Sequence, residues 1–269
     1  MAETDKVFAG SIPALYDRHL GPMIFEPYAL DMADRVARLA PKRILEIAAG
    51  TGIVTRALAR KLPGVPIAAT DLNQPMLDHA AKQTPAGSAI TWRQADAQSL
   101  PFEAGGFDVV VCQFGAMFFP DKAKAYAEAR RVLSPGGHFL FNVWGPIEDN
   151  PVSDLVSRAV AAIFPGDPPG FLARTPHGYH DVAAITDALR QSGFTAIRAE
   201  TVEKRGRAPS ARDPAIGFCQ GSPLRMEIEA RDKSRLEEAT DAAAEAVAAR
   251  FGRGPIDGKI QAHVIEAAR

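Results

Sequence analysis

Short apolar runs alternate with amphipathic stretches between residues 41 and 145, in the rhythm of repeated strand and helix units. Ile44, Leu45 and Ile47 form the first run, too short for a helix and closed by the small residues Ala48, Ala49, Gly50, Thr51 and Gly52. A strand covered on both faces of a parallel sheet has this character. From Ile53 onward, Ile53, Val54, Ala57, Leu58 and Leu62 recur at helical spacing, with Arg56, Arg60 and Lys61 turned elsewhere. After a Pro63–Gly64 turn, residues 65–71 (VPIAATD) predict a second strand ending in an acid, and Pro75 stands in the first turn of a second helix. Residues 89–94, 107–112 and 138–144 predict three further strands. A helix opened by Pro120 and Asp121 and closed by Pro135, Gly136 and Gly137 precedes the last of them. Right-handed crossovers lay such strands side by side with helices on both faces. With 194–203 and 259–267 added, the expected fold is α/β, a doubly wound and mainly parallel seven-stranded sheet.

The rhythm differs on either side of this core. Residues 1–40 predict an N-terminal helical lid: a short helix from Ser11 through Leu15, Tyr16 and Leu20, broken by Gly21 and Pro22, then a second from Pro27 to Leu39. Residues 146–269 hold the last strands interleaved with an inserted cap, about 146–180 and 207–254. Within them, 152–163 is helical and 165–179 is a Pro/Gly-rich loop. Asp181 caps a helix to Gln191, 204–212 is a basic loop, and 232–251 is an alanine-rich helix.

Composition narrows the function. Among 269 residues, 31 Lys plus Arg stand against 32 Asp plus Glu, a net charge of −1, so nothing draws a nucleic-acid backbone or an anionic membrane surface. Cys112 and Cys219 form neither a disulfide framework nor a metal spacing, and Cys112, after three valines, reads as a core thiol. No metal site is expected. The first ten residues lack a basic-then-apolar signal, and no apolar run approaches the ~20 residues that span a bilayer. A soluble, cytoplasmic protein is expected, working on a small molecule and compatible with a homodimer.

The chemistry gathers at the strand ends, where open α/β sheets bind ligands. A helix beginning directly behind a glycine turn offers free N–H groups to an anion. A dinucleotide site asks for G-x-G-x-x-G, yet here Gly50 and Gly52 are followed by Thr55. Instead Glu46, Asp71 and Asp96 stand 25 residues apart, one strand–helix unit each. Three acids at neighbouring strand ends suit a cofactor with a positive charge and free ribose hydroxyls better than a pyrophosphate.

The motifs LEIAAGTG (45–52), ATDLNQPML (69–77), RQADAQSLPF (93–102), FDVVVCQFGAMFFPD (107–121) and RRVLSPGGHFLF (130–141), in this order, resemble the class I S-adenosylmethionine-dependent methyltransferases. The resemblance is particularly to the ubiquinone/menaquinone-biosynthesis-like group. The resemblance implies a Rossmann-like fold and S-adenosylmethionine as cofactor, with S-adenosylhomocysteine as product. By the same resemblance Glu46, Ala48, Gly50 and Gly52 line the methionine part, Thr51 belongs to the cofactor site, and Asp71 holds the ribose diol. Leu72 and Met76 flank the adenine, Asp96 and Ala97 meet its edge, Gln113 lies by the sulfonium, and Tyr16 joins them from the lid. Phe114, Met117 and Phe118 wall an apolar or aromatic acceptor. No motif names a base, and His19, His177 and His180 are the candidates. Two alternatives stay open: a cofactor-binding protein of this fold without transferase activity, and an NAD-dependent oxidoreductase.

Overall fold

The computed structural model describes residue 5 and residues 8–269; the remaining residues of the expected N-terminal lid, 1–4, 6 and 7, lie outside the described residues. Seven strands, β1 (Ile44–Ile47), β2 (Ile67–Asp71), β3 (Ile90–Gln94), β4 (Phe107–Gln113), β5 (Leu133–Trp144), β6 (Ile197–Ala208) and β7 (Ile256–Ala268), form one sheet. Their order is β3-β2-β1-β4-β5-β7-β6, and the first five are parallel. β7 runs the other way. Gly145 donates to the Gln261 carbonyl while Arg269 donates to that of Gly137, so the two strands advance in opposite senses. The order reverses between β1 and β4, which makes the space beyond their carboxyl ends the switch point.

Two compact units share the chain. The sheet unit comprises 28–143, 180–202 and 262–269; the other, mostly helical, comprises 1–27, 144–179 and 203–261. In the sheet unit Ala29, Met32, Ala33 and Val36 pack with Ile44, Leu58, Ile67, Val109, Val111 and Leu140. The first four lie at the i, i+3, i+4, i+7 spacing of one helix face. The second half of the expected lid is therefore a core helix, Glu26–Arg38, and its Leu30 points out, 51% exposed.

Gly21 and Pro22 do not break the first helix. Ile12–Leu15 continues into a π-helical segment, Tyr16–Phe25, and then directly into Glu26–Arg38. Proline removes one backbone donor and crowds the carbonyl four residues back. Here the ladder reaches five residues, as in the Glu26 N–H bond to the Gly21 carbonyl, and the chain passes proline without stopping.

Three further boundaries differ from expectation. β5 begins at Leu133, because its register with β4 jumps from Phe107–Leu133 to Val109–His138 and Pro135–Gly137 becomes a bulge within the strand. β6 extends to Ala208 through residues that read as a basic loop. It is an edge strand whose outward Arg205 and Arg207 both pair with Asp257 of β7, and charged outward positions are how edges resist further pairing. Residues 207–254 also contain two helices not anticipated, Arg212–Cys219 and Leu224–Asp232, ahead of Leu236–Phe251. Asp181 does cap Val182–Gln191, accepting from the Ala183 and Ala184 amides.

Candidate cofactor site

β1 ends in a turn whose backbone is left-handed at Ala48 (φ 55°), Gly50 (φ 56°) and Gly52 (φ 78°). At Gly52 no side chain fits: an added Cβ would lie 2.7 Å from the Trp92 ring and 3.1 Å from the Ala80 methyl. Across the switch point, the turn after β4 is left-handed at Phe114 (φ 51°). Gly115 comes so close to Ala48 that an added Cβ would stand 2.5 Å from the alanine methyl. Two non-glycine residues in this strained region cost about 1–3 kcal/mol each, and such strain clusters at ligand sites.

Asp71 ties the site together. Its Oδ2 accepts the Gly50 amide at 2.8 Å and its Oδ1 the Asn73 amide at 2.8 Å. Burial raises its pKa, and these bonds oppose the rise. Glu46 lies deeper, 1% exposed, with Thr55 Oγ1 donating to its Oε2 at 2.6 Å. Burial pushes the Glu46 carboxyl up to about 8; the Asp71 charge adds to this, while Thr55 and Arg56 counter it. Thr55 occupies the place of the third dinucleotide glycine and donates there to the buried Glu46.

The even spacing of the three acids does not put them at one level. β1 pairs Glu46 with Ala69, and β2 pairs Ala69 with Trp92, a register of 23 residues where the acids repeat every 25. Each acid therefore stands two residues beyond the one before, about 7 Å along the sheet. A step of two keeps Glu46 and Asp71 on one face. Exposure climbs with the steps: Glu46 is fully buried, Asp71 is 7% exposed, and Asp96 is at the surface with its Oδ1 accepting from the Gln98 amide.

Several donors in the turn are unspent. The helix Ile53–Lys61 starts at Gly52 with no side-chain cap, leaving first-turn N–H groups open. Thr51 is buried, and its Oγ1 has no hydrogen-bond partner among the described residues. An orphaned hydroxyl beside free helix N–H groups fits a carboxylate, and the two carboxyl groups behind it fit an ammonium or sulfonium and a diol. The residues present thus fit an amino-acid nucleoside with a cationic centre.

The other expected residues divide between the units. Met76 and Ala97 are buried, while Leu72 at the end of β2 is 45% exposed. Gln113 Oε1 lies 3.5 Å from Asn142 Nδ2, and Phe114 packs edge-on against Tyr28, with ring centres 5.3 Å apart. Met117 is buried and Phe118 half-buried in a short turn, Ala116–Phe118. Tyr16, His19 and His177 belong to the helical unit, where Tyr16 stacks on Phe25 and His177 Nδ1 lies 2.8 Å from the Gly145 carbonyl. His180, half-buried, begins the 180–202 segment of the sheet unit. Sequence reasoning missed Asn142, whose buried Oδ1 accepts the Phe114 amide at 3.0 Å and holds the second strained turn. Its one signal was an amide side chain amid the apolar run FLFNVW.

Known proteins resemble this chain in sequence and in fold. A methyltransferase domain family matches residues 45–141. The demethylmenaquinone methyltransferase of Thermus thermophilus is 41% identical over 108 residues, 40% of this chain and 49% of that protein. The match thus spans about half the length of that relative. The ubiquinone/menaquinone biosynthesis C-methyltransferase UbiE of Ralstonia pickettii is 31% identical over 58% of this chain and 68% of its own. The nocamycin O-methyltransferase of Saccharothrix syringae is 28% identical over 91% of both. Among solved structures, the YcgJ protein from Bacillus subtilis aligns with a TM-score of 0.58 at 20% identity over 90% of this chain and 98% of that one. A phosphoethanolamine N-methyltransferase of Haemonchus contortus, solved with S-adenosyl-L-methionine, aligns with a TM-score of 0.59 at 17% identity over 96% of this chain and 56% of that one. The chain belongs to the class I S-adenosylmethionine-dependent methyltransferases, of the ubiquinone/menaquinone-biosynthesis type.

Proposed function

We propose that this protein moves a methyl group from S-adenosylmethionine to a small apolar or aromatic acceptor in the cytoplasm. The observation that carries the reading is the Asp71 carboxylate fastening the left-handed turn of Gly50 while the Thr51 hydroxyl and the first helical amides remain unspent. When bound, the cofactor supplies an electrophilic methyl on a sulfonium, ready for in-line displacement. The protein's own work is to bind, orient and exclude water.

In this reading Thr51 and the helix amides take the amino-acid carboxylate, and Glu46 and Gln113 face its cationic end. Asp71 uses its remaining lone pairs for the ribose diol. Leu72 and Met76 grip the adenine, and Asp96 with Ala97 meets its edge. Tyr16 is the remaining residue of the proposed cofactor set. Met117 and Phe118, with Phe114 behind them, are the apolar residues proposed for the acceptor. The helical unit lies outside the matched domain, so we assign acceptor choice to it. The likeness, over 91% of both chains, to a relative named as an O-methyltransferase favours oxygen as the accepting atom.

Calorimetric titration with S-adenosylhomocysteine, followed by turnover with a panel of phenols, thiols and amines, tests the proposal. Saturable one-to-one binding with methylation of at least one phenol is expected. Absence of binding removes the proposed site. Binding with no turnover on the whole panel would leave a cofactor-binding protein in place of a transferase.

A further inference from the structure

The loop after β3 begins at the surface yet is fastened on both sides. Asp96 is exposed, while Ala97 and Leu100 are buried, and the Ser99 amide closes a tight turn by donating to the Asp96 carbonyl at 2.9 Å. The whole loop belongs to the sheet unit. On one side it is bonded to the cofactor turn through Asp71. The Ala95 amide donates to the Asp71 carbonyl at 3.0 Å, and the Asp71 carboxylate in turn accepts the Gly50 amide. Gln94 Nε2 donates to the neighbouring Leu72 carbonyl at 2.8 Å.

Helix Lys122–Val132 holds the loop from the other side. Glu128 Oε2 accepts the Leu100 amide at 2.8 Å, and Arg131 donates to the Leu100 and Phe102 carbonyls at 3.0 and 2.7 Å. Arg131 also donates to both Glu128 oxygens, at 2.6 and 2.8 Å, which fixes the two side chains as one clamp. Arg93 takes the intervening Pro101 carbonyl at 3.0 Å.

Gln98 connects this frame to Asp96. Its Oε1 accepts the Asp121 amide, just ahead of the helix, at 3.1 Å. Its Nε2 donates to the two Asp96 oxygens at 3.1 and 3.2 Å, and its backbone amide donates to Oδ1 at 2.8 Å. Only one orientation of the side-chain amide serves, because an N–H on one side demands the oxygen and a carboxylate on the other demands the NH2. The Asp96 carboxylate is thereby held in its plane, and Oδ2, with a single bond, keeps a lone pair for a further donor. A carboxylate accepts and does not donate, so an aimed Asp96 takes an amino group at the purine 6-position and repels a carbonyl oxygen there.

We infer that Gln98 is a positioning residue for recognition of the adenine amino group, aiming Asp96 from the frame of Asp121, Glu128 and Arg131. The inference rests on the cofactor placement in the transferase reading above. An exposed carboxylate free to rotate is satisfied by water and reads little; preorganisation turns it into a discriminating contact. In this role Gln98 acts through Asp96 and not on the cofactor.

The test is calorimetric titration of the full chain with S-adenosylhomocysteine and with S-inosylhomocysteine, which carries a 6-carbonyl in place of the 6-amino group. The ratio of the two dissociation constants cancels what the ligands share. Wild type is expected to prefer the adenosyl ligand by about tenfold or more. Gln98→Met removes both side-chain bonds, whereas Gln98→Glu keeps the acceptor for Asp121 and sets a second carboxylate against Asp96. Each should cut the ratio by about fivefold, so the common loss belongs to the Asp96 contact. In an Asp96→Ala background Gln98→Met should leave the ratio where it is. An unchanged ratio in both single variants, with affinity for the two ligands held or lost together, makes Gln98 structural and overturns the inference. So does an effect of Gln98→Met on the ratio that persists without Asp96. A wild type that binds the two ligands equally also overturns it and leaves the transferase reading standing. Failure of the wild type to bind S-adenosylhomocysteine overturns both.

Discussion

Asp71 Oδ2 accepts the Gly50 amide hydrogen at 2.8 Å, so the carboxylate that ends β2 clamps the turn that ends β1. The same carboxylate accepts from Asn73. Asp71→Ala removes the carboxylate acceptor of two part-buried N–H groups, those of Gly50 and Asn73, at about 1–3 kcal/mol each. A loss of stability of about 2–4 kcal/mol is expected in denaturant unfolding, with S-adenosylhomocysteine affinity at least about tenfold weaker. Asp71→Asn retains one acceptor oxygen and should fall between. Wild-type affinity in Asp71→Ala would refute the role.

Glu46 gives a pH dependence of definite sign. Its folded pKa of about 8 lies above the ordinary 4.5, because burial disfavours the charge. Between these values the folded state holds a proton that the unfolded chain releases, so this group's contribution is complete below pH 4.5 and is lost as pH rises through 8. Glu46→Gln keeps an acceptor for Thr55 and removes the titration. Its stability profile from pH 5 to 9 should be flatter than that of the wild type and lie above it at the alkaline end. Parallel profiles for the two proteins would show that Glu46 does not titrate in this window.

Thr51 separates folding from binding. Its buried hydroxyl lacks a partner among the described residues, a cost of about 1–3 kcal/mol in the free protein. Thr51→Val should raise the thermal midpoint of the free protein and weaken S-adenosylhomocysteine. If the midpoint rises while affinity holds, the hydroxyl is not a cofactor contact.

Ala48 and Gly115 should be coupled. Gly115→Ala drives a methyl to within 2.5 Å of the Ala48 Cβ and 2.8 Å of Cys112 Sγ, an overpacking worth about 1–3 kcal/mol. Ala48→Gly removes one of those contacts and relieves a positive φ, so it stabilises by about 0.5–1 kcal/mol. The double variant should lose less than the two single effects combined. Strict additivity in urea unfolding would mean that the two turns do not press on each other.

The sheet unit was legible in the sequence because its information is local. Ile44 to Ile47, Val109 to Val111 and Phe139 to Phe141 are apolar whatever surrounds them, and Gly52 announces a turn that only glycine fits. The acids Glu46, Asp71 and Asp96 were visible as a period, and so were the residues that match the family. Register was not visible. The sheet pairs residues 23 apart while the acids repeat every 25, and only hydrogen bonding between strands turns that difference of two into a graded ladder from buried to exposed. Long-range pairing hid the rest. Asn142 supports Phe114 from 28 residues away, Arg205 and Arg207 lie in a strand because it pairs with distant β7, where Asp257 meets them, and Pro22 stays helical because the ladder around it widens by one residue. His19 by itself was one histidine among six. The tertiary structure brought Asp213 to its Nδ1 across 194 residues, and no local pattern encodes which distant carboxylate an imidazole will meet.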